Sequence, residues 1–468
     1  MFSERSNSAL FRYSKSILFQ YSNSVWFTRS LRAMILFVIV GSLMLSGCFD
    51  NIKMPAELDD TRTTVRFWHS MAGGLGDVLD ELIVRFHKEN PEIRVVSVYQ
   101  GSYGSLSQKL IGAAVVNELP DISQAYPAWL SRLNEDPQNK AALSLDEMIA
   151  NDKNFDTDDL VTVLLEDCKM DGELYALPFN KSFPVLYYNK EMFEKNNLKP
   201  PTTWEEFTKA ARTLTQDLDG DGKIDQWGWA FNNDSMIFEC SILQHGSDLI
   251  AKNGLSVPFN EAATLEALYI FMDAAFGKQR YAYPVTGYDH QTDFCTQKVA
   301  MIQTSSVSRQ FMKDRLNFDY GMLPLPSDKK RAAILSGTNL CMFKTGDKDR
   351  QQASWKFLKF FANTESTAYW SMKTSYVPVR YSAIKEMKEY LDKDPNSQAA
   401  ISQMDAACFE PIFPAWYECR QILKNYFQKI TTEVGADMPE TEEGVKKKLM
   451  VYLNDMTAEI NRKLQTGK

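Results

Sequence analysis

Short apolar segments alternate with helical ones along residues 64–123, and this alternation restricts the fold more than any other feature. Thr64-Val65-Arg66-Phe67-Trp68 reads as a strand, and Gly73-Gly74-Leu75-Gly76 as a loop entering a helix. In that helix Val78, Leu79, Leu82, Ile83 and Phe86 keep helical spacing, and Asn90-Pro91 ends it. Residues 93–99 form a second strand, 105–116 a second helix and 121–123 a third strand. Strand–helix alternation with short connections predicts an α/β fold on a parallel sheet, with ligands at the carboxyl ends of the strands. A chain of 468 residues is long enough for two or more such units.

The pattern continues further along. Residues 174–179 are extended, 184–189 form an apolar strand, and Thr203 with Glu206 sets a capping box before a helix ending near Leu214. Residues 299–303 and 334–337 read as strands, 353–370 as one strongly apolar helix, and 445–464 as a charged helix.

The amino terminus is different in kind. Residues 1–47 hold Arg5, Arg12, Lys15, Arg29 and Arg32 against Glu4, so the formal −8 of the whole chain leaves −12 for residues 48–468. Residues 33–45 are apolar apart from Gly41 and Ser42. They span about 20 Å as a helix, short of a hydrocarbon core of ~30 Å. A basic flank, a short apolar stretch and small residues describe a signal peptide. Leu45-Ser46-Gly47-Cys48 resembles the bacterial lipobox, in which the cysteine becomes a lipidated amino terminus, and residues 48–63 read as a tether. An uncleaved anchor is the alternative; either way the body lies outside the cytoplasm, held to a membrane. The acidic body excludes a nucleic-acid binder. Cys168, Cys240, Cys295, Cys341, Cys408 and Cys419 remain after Cys48; Cys408–Cys419 is open as a local disulfide, and so are six buried thiols.

Catalytic motifs are scarce. His69, His87, His245 and His290 show no metal-ligand spacing, and no nucleophile elbow, Walker or dinucleotide motif occurs. His69, at the end of the first strand, reads as a hydrogen-bonded histidine beside a cleft, and the chain is not expected to be an enzyme. Asp217, Asp219, Asp221 and Asp225, with Gly222 at position six, match the front of a calcium loop. Gly228 stands where the bidentate Glu is usual, so a structural calcium ion and a solvated Asp/Gly turn are equally open. No other cofactor is expected.

The informative pieces are scattered: Phe67-Trp68-His69-Ser70-Met71, Gly101-Ser102-Tyr103, Thr304-Ser305-Ser306, Leu335-Ser336-Gly337-Thr338-Asn339, Ser375-Tyr376-Val377-Pro378 and Pro414-Ala415-Trp416-Tyr417-Glu418-Cys419-Arg420. With Pro178-Phe179-Asn180-Lys181-Ser182-Phe183-Pro184 and the strand after it, they resemble extracellular solute-binding proteins of ATP-driven (ABC) importers over about residues 64–468. Within that family the resemblance is greatest to the periplasmic glycerol-3-phosphate-binding branch.

The resemblance implies a type II periplasmic-binding fold of two α/β lobes, joined by crossing strands and closing on ligand about a hinge. It places lobe 1 at 61–178 and 338–373 and lobe 2 at 179–337 and 374–468, with crossings near 177–180, 335–338 and 375–377. It carries a ligand-binding set onto Tyr103, Ser182, Ser305, Gly337, Tyr376 and Arg420. Arg420 offers a fork of donors to phosphate, the serines and the Gly337 N–H offer more, and the tyrosines offer hydroxyls and ring faces. Pro127 occupies the place of the acidic residue expected to grip glycerol hydroxyls, and Asn232, Asn233 and Ser235 replace expected tryptophans. Trp416 stands where the maltose-binding branch has a sugar-stacking aromatic, and Lys181 is expected to face solvent. The implied partners are a small phosphorylated polyol, a glycerophosphodiester or a sugar, the ABC permease subunits, and a membrane through the lipid anchor. The receptor is expected as a monomer on the periplasmic side of a bacterial membrane. A neutral-sugar receptor and a phosphodiesterase using His69 are the competing functions.

Overall fold

The computed structural model describes residues 61–466 apart from Pro137, Asn253 and Phe413. The signal-peptide, lipobox and Cys48 expectations lie outside the described residues, as does most of the tether. Ten strands build two five-stranded sheets: β1 (Thr63–His69), β2 (Ile93–Tyr99), β3 (Ile122–Ala125), β4 (Ala176–Pro178), β5 (Pro184–Asn189), β6 (Trp227–Asn232), β7 (Ala282–Val285), β8 (Val299–Ser305), β9 (Tyr320–Leu323) and β10 (Asn339–Met342). The first sheet runs β2-β1-β3-β10-β4 and the second β9-β5-β8-β6-β7. In the first, β1 pairs parallel with β2 and β3, while β10 enters antiparallel. In the second, β6, β7 and β8 are parallel and β5 antiparallel to β8 and β9.

The helices that matter for the site are α1 (Gly74–Glu89), α2 (Tyr103–Val115), α3 (Trp204–Leu214), α4 (Ser235–Gln244), α5 (Lys348–Phe361), α6 (Thr364–Thr374), α7 (Trp416–Ala436) and α8 (Glu442–Thr466). Helix α1 buries Leu79, Leu82, Ile83 and Phe86 against the first sheet as its spacing predicts, with Val78 partly buried and Leu75, read as loop, also buried in its first turn. The Thr203–Glu206 capping box is formed in both directions at the start of α3. Helix α8 is charged on its outside but carries a buried seam of Val445, Leu449, Leu453, Met456, Ile460 and Leu464, packed into the second core. The apolar run 353–370 is two helices rather than one. Asn363 accepts the Ser366 N–H at 2.7 Å, and this side-chain cap begins α6.

Three segments pass between the sheets. Residues 179–183 lead from β4 to β5, 324–338 from β9 to β10, and a third follows α6, where Tyr376 packs in the first core and its neighbour Val377 in the second. The segments touch one another. Ser182 and Ser336 exchange backbone hydrogen bonds of 3.0 and 2.9 Å, and Val377 N–H donates to the Lys181 carbonyl at 2.8 Å. Gly337 has φ +99°, and a Cβ there would lie 1.9 Å from the Asn180 carbonyl oxygen, so only glycine fits this close approach.

Candidate functional site

The crossing segments form the floor of the interlobe cleft, and one amide organises it. Asn180 is fully buried. Its Oδ1 accepts from Gln124 Nε2 at 3.0 Å, from the Thr338 N–H at 3.2 Å and from the Thr338 hydroxyl at 2.5 Å; its Nδ2 donates to Tyr103 Oη at 2.8 Å. Gln124 lies in β3, Thr338 precedes β10 and Tyr103 begins α2, so a single side chain ties three elements of the first lobe to the crossing. Gln124 Oε1 in turn accepts the Ser70 N–H at 2.7 Å, just past β1. One residue on, Lys181 is fully buried and not solvent-facing as the sequence suggested. It pairs with Asp167 and donates to the Gly337 carbonyl at 3.2 Å. A buried ammonium needs such a partner, because desolvation costs several kcal/mol per ion. The next residue, Ser182, accepts from the Ser305 hydroxyl at 3.1 Å, which places both serines at the β5–β8 end of the second sheet.

Tyr376 stacks on Trp370 with planes 4° apart, and Tyr126 meets Tyr103 edge-on at 5.4 Å. Burial pushes the phenols of Tyr103 and Tyr376 up, with Tyr376 and Tyr126 adding to the rise at Tyr103. Tyr126 is likewise raised by burial, while Arg420 pulls it down and Glu410 pushes it up. Two charged groups of the second lobe therefore act on a tyrosine of the first. Arg420, early in α7, donates through Nε to Glu239 Oε1 at 3.1 Å and lies 3.4 Å from Glu410 Oε1. Among the described residues its two Nη groups make no hydrogen bond. Burial works against its charge, but Glu410, Glu239 and Asp234 outweigh that and raise its pKa. Burial pushes the Glu410 carboxyl up to about 7, with Glu239 adding to the rise and Arg420 opposing it.

Two lobes joined by crossing segments, with buried polar and aromatic side chains gathered at the crossing, suit capture of a solute. Residues 81–399 match the family described as bacterial extracellular solute-binding protein. The chain belongs to that family. This solute-binding protein is 32% identical over 366 residues to the sn-glycerol-3-phosphate-binding periplasmic protein UgpB of Salmonella typhimurium, covering 73% of this chain and 80% of that one. Its fold is similar to UgpB from Mycobacterium tuberculosis in complex with glycerophosphocholine, with a TM-score of 0.71 and 26% identity over 84% of this chain and 98% of that one. It is similar in fold to the substrate-binding protein Lmo0181 from Listeria monocytogenes in complex with cycloalternan, with a TM-score of 0.71 at 19% identity, over 86% of this chain and 99% of that one. The family and these relatives are solute-binding proteins of ABC importers, and no helix among the described residues is long and apolar enough to cross a membrane.

In this solute-binding protein Tyr103 is hydrogen-bonded to Asn180 and Ser305 to Ser182 at the crossing, the Gly337 backbone packs on Asn180, Tyr376 stacks on Trp370, and Arg420 is held by Glu239 in the second lobe. Trp416 is elsewhere. It is 1% exposed in the second lobe's core, with Nε1 donating to Glu410 Oε2 at 3.2 Å, so it has no free face for a sugar. Its role here is to hold Glu410 beside Arg420. His69 is buried between the Met71 N–H, accepted at Nδ1 (3.2 Å), and the Ser97 hydroxyl at Nε2 (3.0 Å). Burial lowers its pKa to about 4, leaving a neutral structural ring. In the aspartate loop, oxygens of Asp217, Asp219 and Asp225 lie within 4.8 Å of one another, but Asp221 turns to Lys223 at 2.7 Å. The loop's own N–H groups serve the carboxylates: Gly220 and Gly222 donate to Asp217, and Leu218 to Asp225. The Asp217 carboxyl lies below the usual range because of the Gly222 and Gly220 amides. The six cysteines are free thiols, with Cys408 and Cys419 unbridged.

Sequence reasoning missed Gln124, Tyr126, Asn180, Thr338, Glu239 and Glu410. Asn180 stood within the motif that carried the family likeness, and Tyr126 next to the noted Pro127, but Glu239 lies in a helix with no motif at all.

Proposed function

We propose that this protein captures a glycerol phosphate ester, glycerol-3-phosphate or a glycerophosphodiester, between its lobes and delivers it unaltered to an ABC permease. The protein acts as a monomer on the periplasmic side, anchored through a lipid on Cys48. The observation that carries the reading is Arg420. Among the described residues its guanidinium hydrogen-bonds through Nε alone, which leaves both Nη groups for the two oxygens of a phosphate. The Ser182–Ser305 hydroxyl pair and the Gly337 amide supply donors to the other oxygens, and Tyr103 and Tyr376 take the polyol. The printed ligands of the glycerol-3-phosphate-binding relative and of the glycerophosphocholine complex support the same class. Binding is non-covalent, through these hydrogen bonds and charges.

Isothermal titration of the purified protein with glycerol-3-phosphate, glycerophosphocholine and maltotriose tests this. At least one phosphate ester is expected to bind, with maltotriose absent or weaker by more than tenfold. Tighter binding of maltotriose than of either ester would overturn the proposal in favour of a sugar receptor. Alcohol released from glycerophosphocholine, and lost in His69→Ala, would overturn it in favour of a phosphodiesterase.

A further inference from the structure

The charges around Arg420 do not suit every phosphate ester equally. Glu239 is fully buried; one of its oxygens takes the Arg420 Nε–H, and the other, Oε2, has no hydrogen-bond partner among the described residues. Glu410 Oε1 lies 3.4 Å from the same Arg420 Nε, and its Oε2 accepts the Trp416 Nε1–H. One cation therefore faces two carboxylates, and the formal sum is −1 before any ligand enters. The other charged groups that act on this set cancel in pairs: Asp234 with Lys424 at 2.8 Å, and Asp167 with Lys181 in the floor. A buried carboxylate oxygen without a partner is costly; a primary ammonium offsets this with a charge-assisted hydrogen bond, and a quaternary ammonium, which has no N–H, by its charge alone.

We propose that Glu239 and Glu410 determine specificity: they receive a positively charged amine or quaternary ammonium on the ligand, so that the cleft takes zwitterionic phosphodiesters and turns away doubly charged phosphate monoesters. The phosphate of such a diester carries one negative charge and meets the Arg420 Nη groups. Its cationic end lies against the carboxylates of Glu239 and Glu410. A monoester brings two negative charges and no positive one into a locus already at −1. The inference rests on the cleft being a phosphate-ester site.

Calorimetry at pH 7.5 with glycerophosphocholine, glycerophosphoethanolamine, glycerophosphoglycerol and glycerol-3-phosphate separates the possibilities. Both zwitterions are expected to bind at least tenfold more tightly than the anionic diester and the monoester. Glu410→Gln and Glu239→Gln, checked for folding by thermal melting, are each expected to shrink that ratio at least threefold. The wild-type ranking decides the matter even where the Glu239 variant does not fold. Glycerol-3-phosphate or glycerophosphoglycerol binding as tightly as the zwitterions, or an unchanged ratio in folded variants, overturns the specificity while leaving the phosphate-ester reading intact. A protein that binds none of the four loses both.

Discussion

Replacing Lys181 by methionine tests whether the crossing is held by a buried ion pair. The substitution keeps most of the side-chain volume and removes the ammonium. Lys181 and Asp167 have side chains 1% and 8% exposed, and the ammonium also holds the Gly337 carbonyl at 3.2 Å. At an effective dielectric of about 20, charges some 4 Å apart attract by roughly 4 kcal/mol. Without its partner, Asp167 would keep the Asn339 Nδ2 donor at 3.0 Å, too little for a buried anion. Breaking such a pair from one side costs about 3–5 kcal/mol, whereas removing both charges together is far milder. Lys181→Met is therefore expected to lower the unfolding free energy by about 3–5 kcal/mol, and Lys181→Met/Asp167→Asn to recover all but about 1–2 kcal/mol. Urea titration followed by tryptophan fluorescence and by circular dichroism reads the three proteins, the two probes checking that both lobes unfold together. A single variant costing less than about 1 kcal/mol, or a double variant no better than the single, would refute the argument.

Other outcomes follow from neighbouring parts of the structure. Arg420→Ala should weaken a bound phosphate ester by about 2–5 kcal/mol in titration calorimetry, and Arg420→Lys should recover only part, because an ammonium lacks the planar fork. Trp416→Ala should cost about 3–5 kcal/mol of stability as a core truncation; loss of ligand binding with undiminished stability would return the ring to the cleft. His290 is buried with neither ring nitrogen hydrogen-bonded among the described residues, and burial lowers its pKa from 6.5 to about 4. The folded protein holds this ring neutral, so its contribution is complete above pH 6.5. It is lost as pH falls toward 4, up to about 3 kcal/mol. Unfolding measured from pH 7 to 4.5 should show that slope, and His290→Phe should flatten it.

Much of the scaffold was legible because it is local. The apolar spacing from Val78 to Phe86, the Thr203–Glu206 box and the strand at 184–189 each announce an element within one or two turns of chain, and each forms where expected. Where local signals competed, the reading slipped: the apolar run 353–370 hid the cap at Asn363 that splits it. Charge was read least well. Lys181 on an acidic chain suggests a solvated side chain, yet Asp167 and the Gly337 carbonyl were waiting for it at the crossing.

The sequence by itself determined that this chain alternates strand and helix and carries scattered pieces of an interlobe cleft. Only the tertiary structure decided what those pieces do. Asn180 becomes the hub of the floor through Thr338, 158 residues away, and Arg420 meets Glu239 across 181 residues. It also removed Trp416 from the cleft and set it in the core behind Glu410. The reason is physical: periodicity and capping act between neighbours along the backbone, whereas the charge balance of a cleft depends on which distant carboxylates the fold brings to one guanidinium.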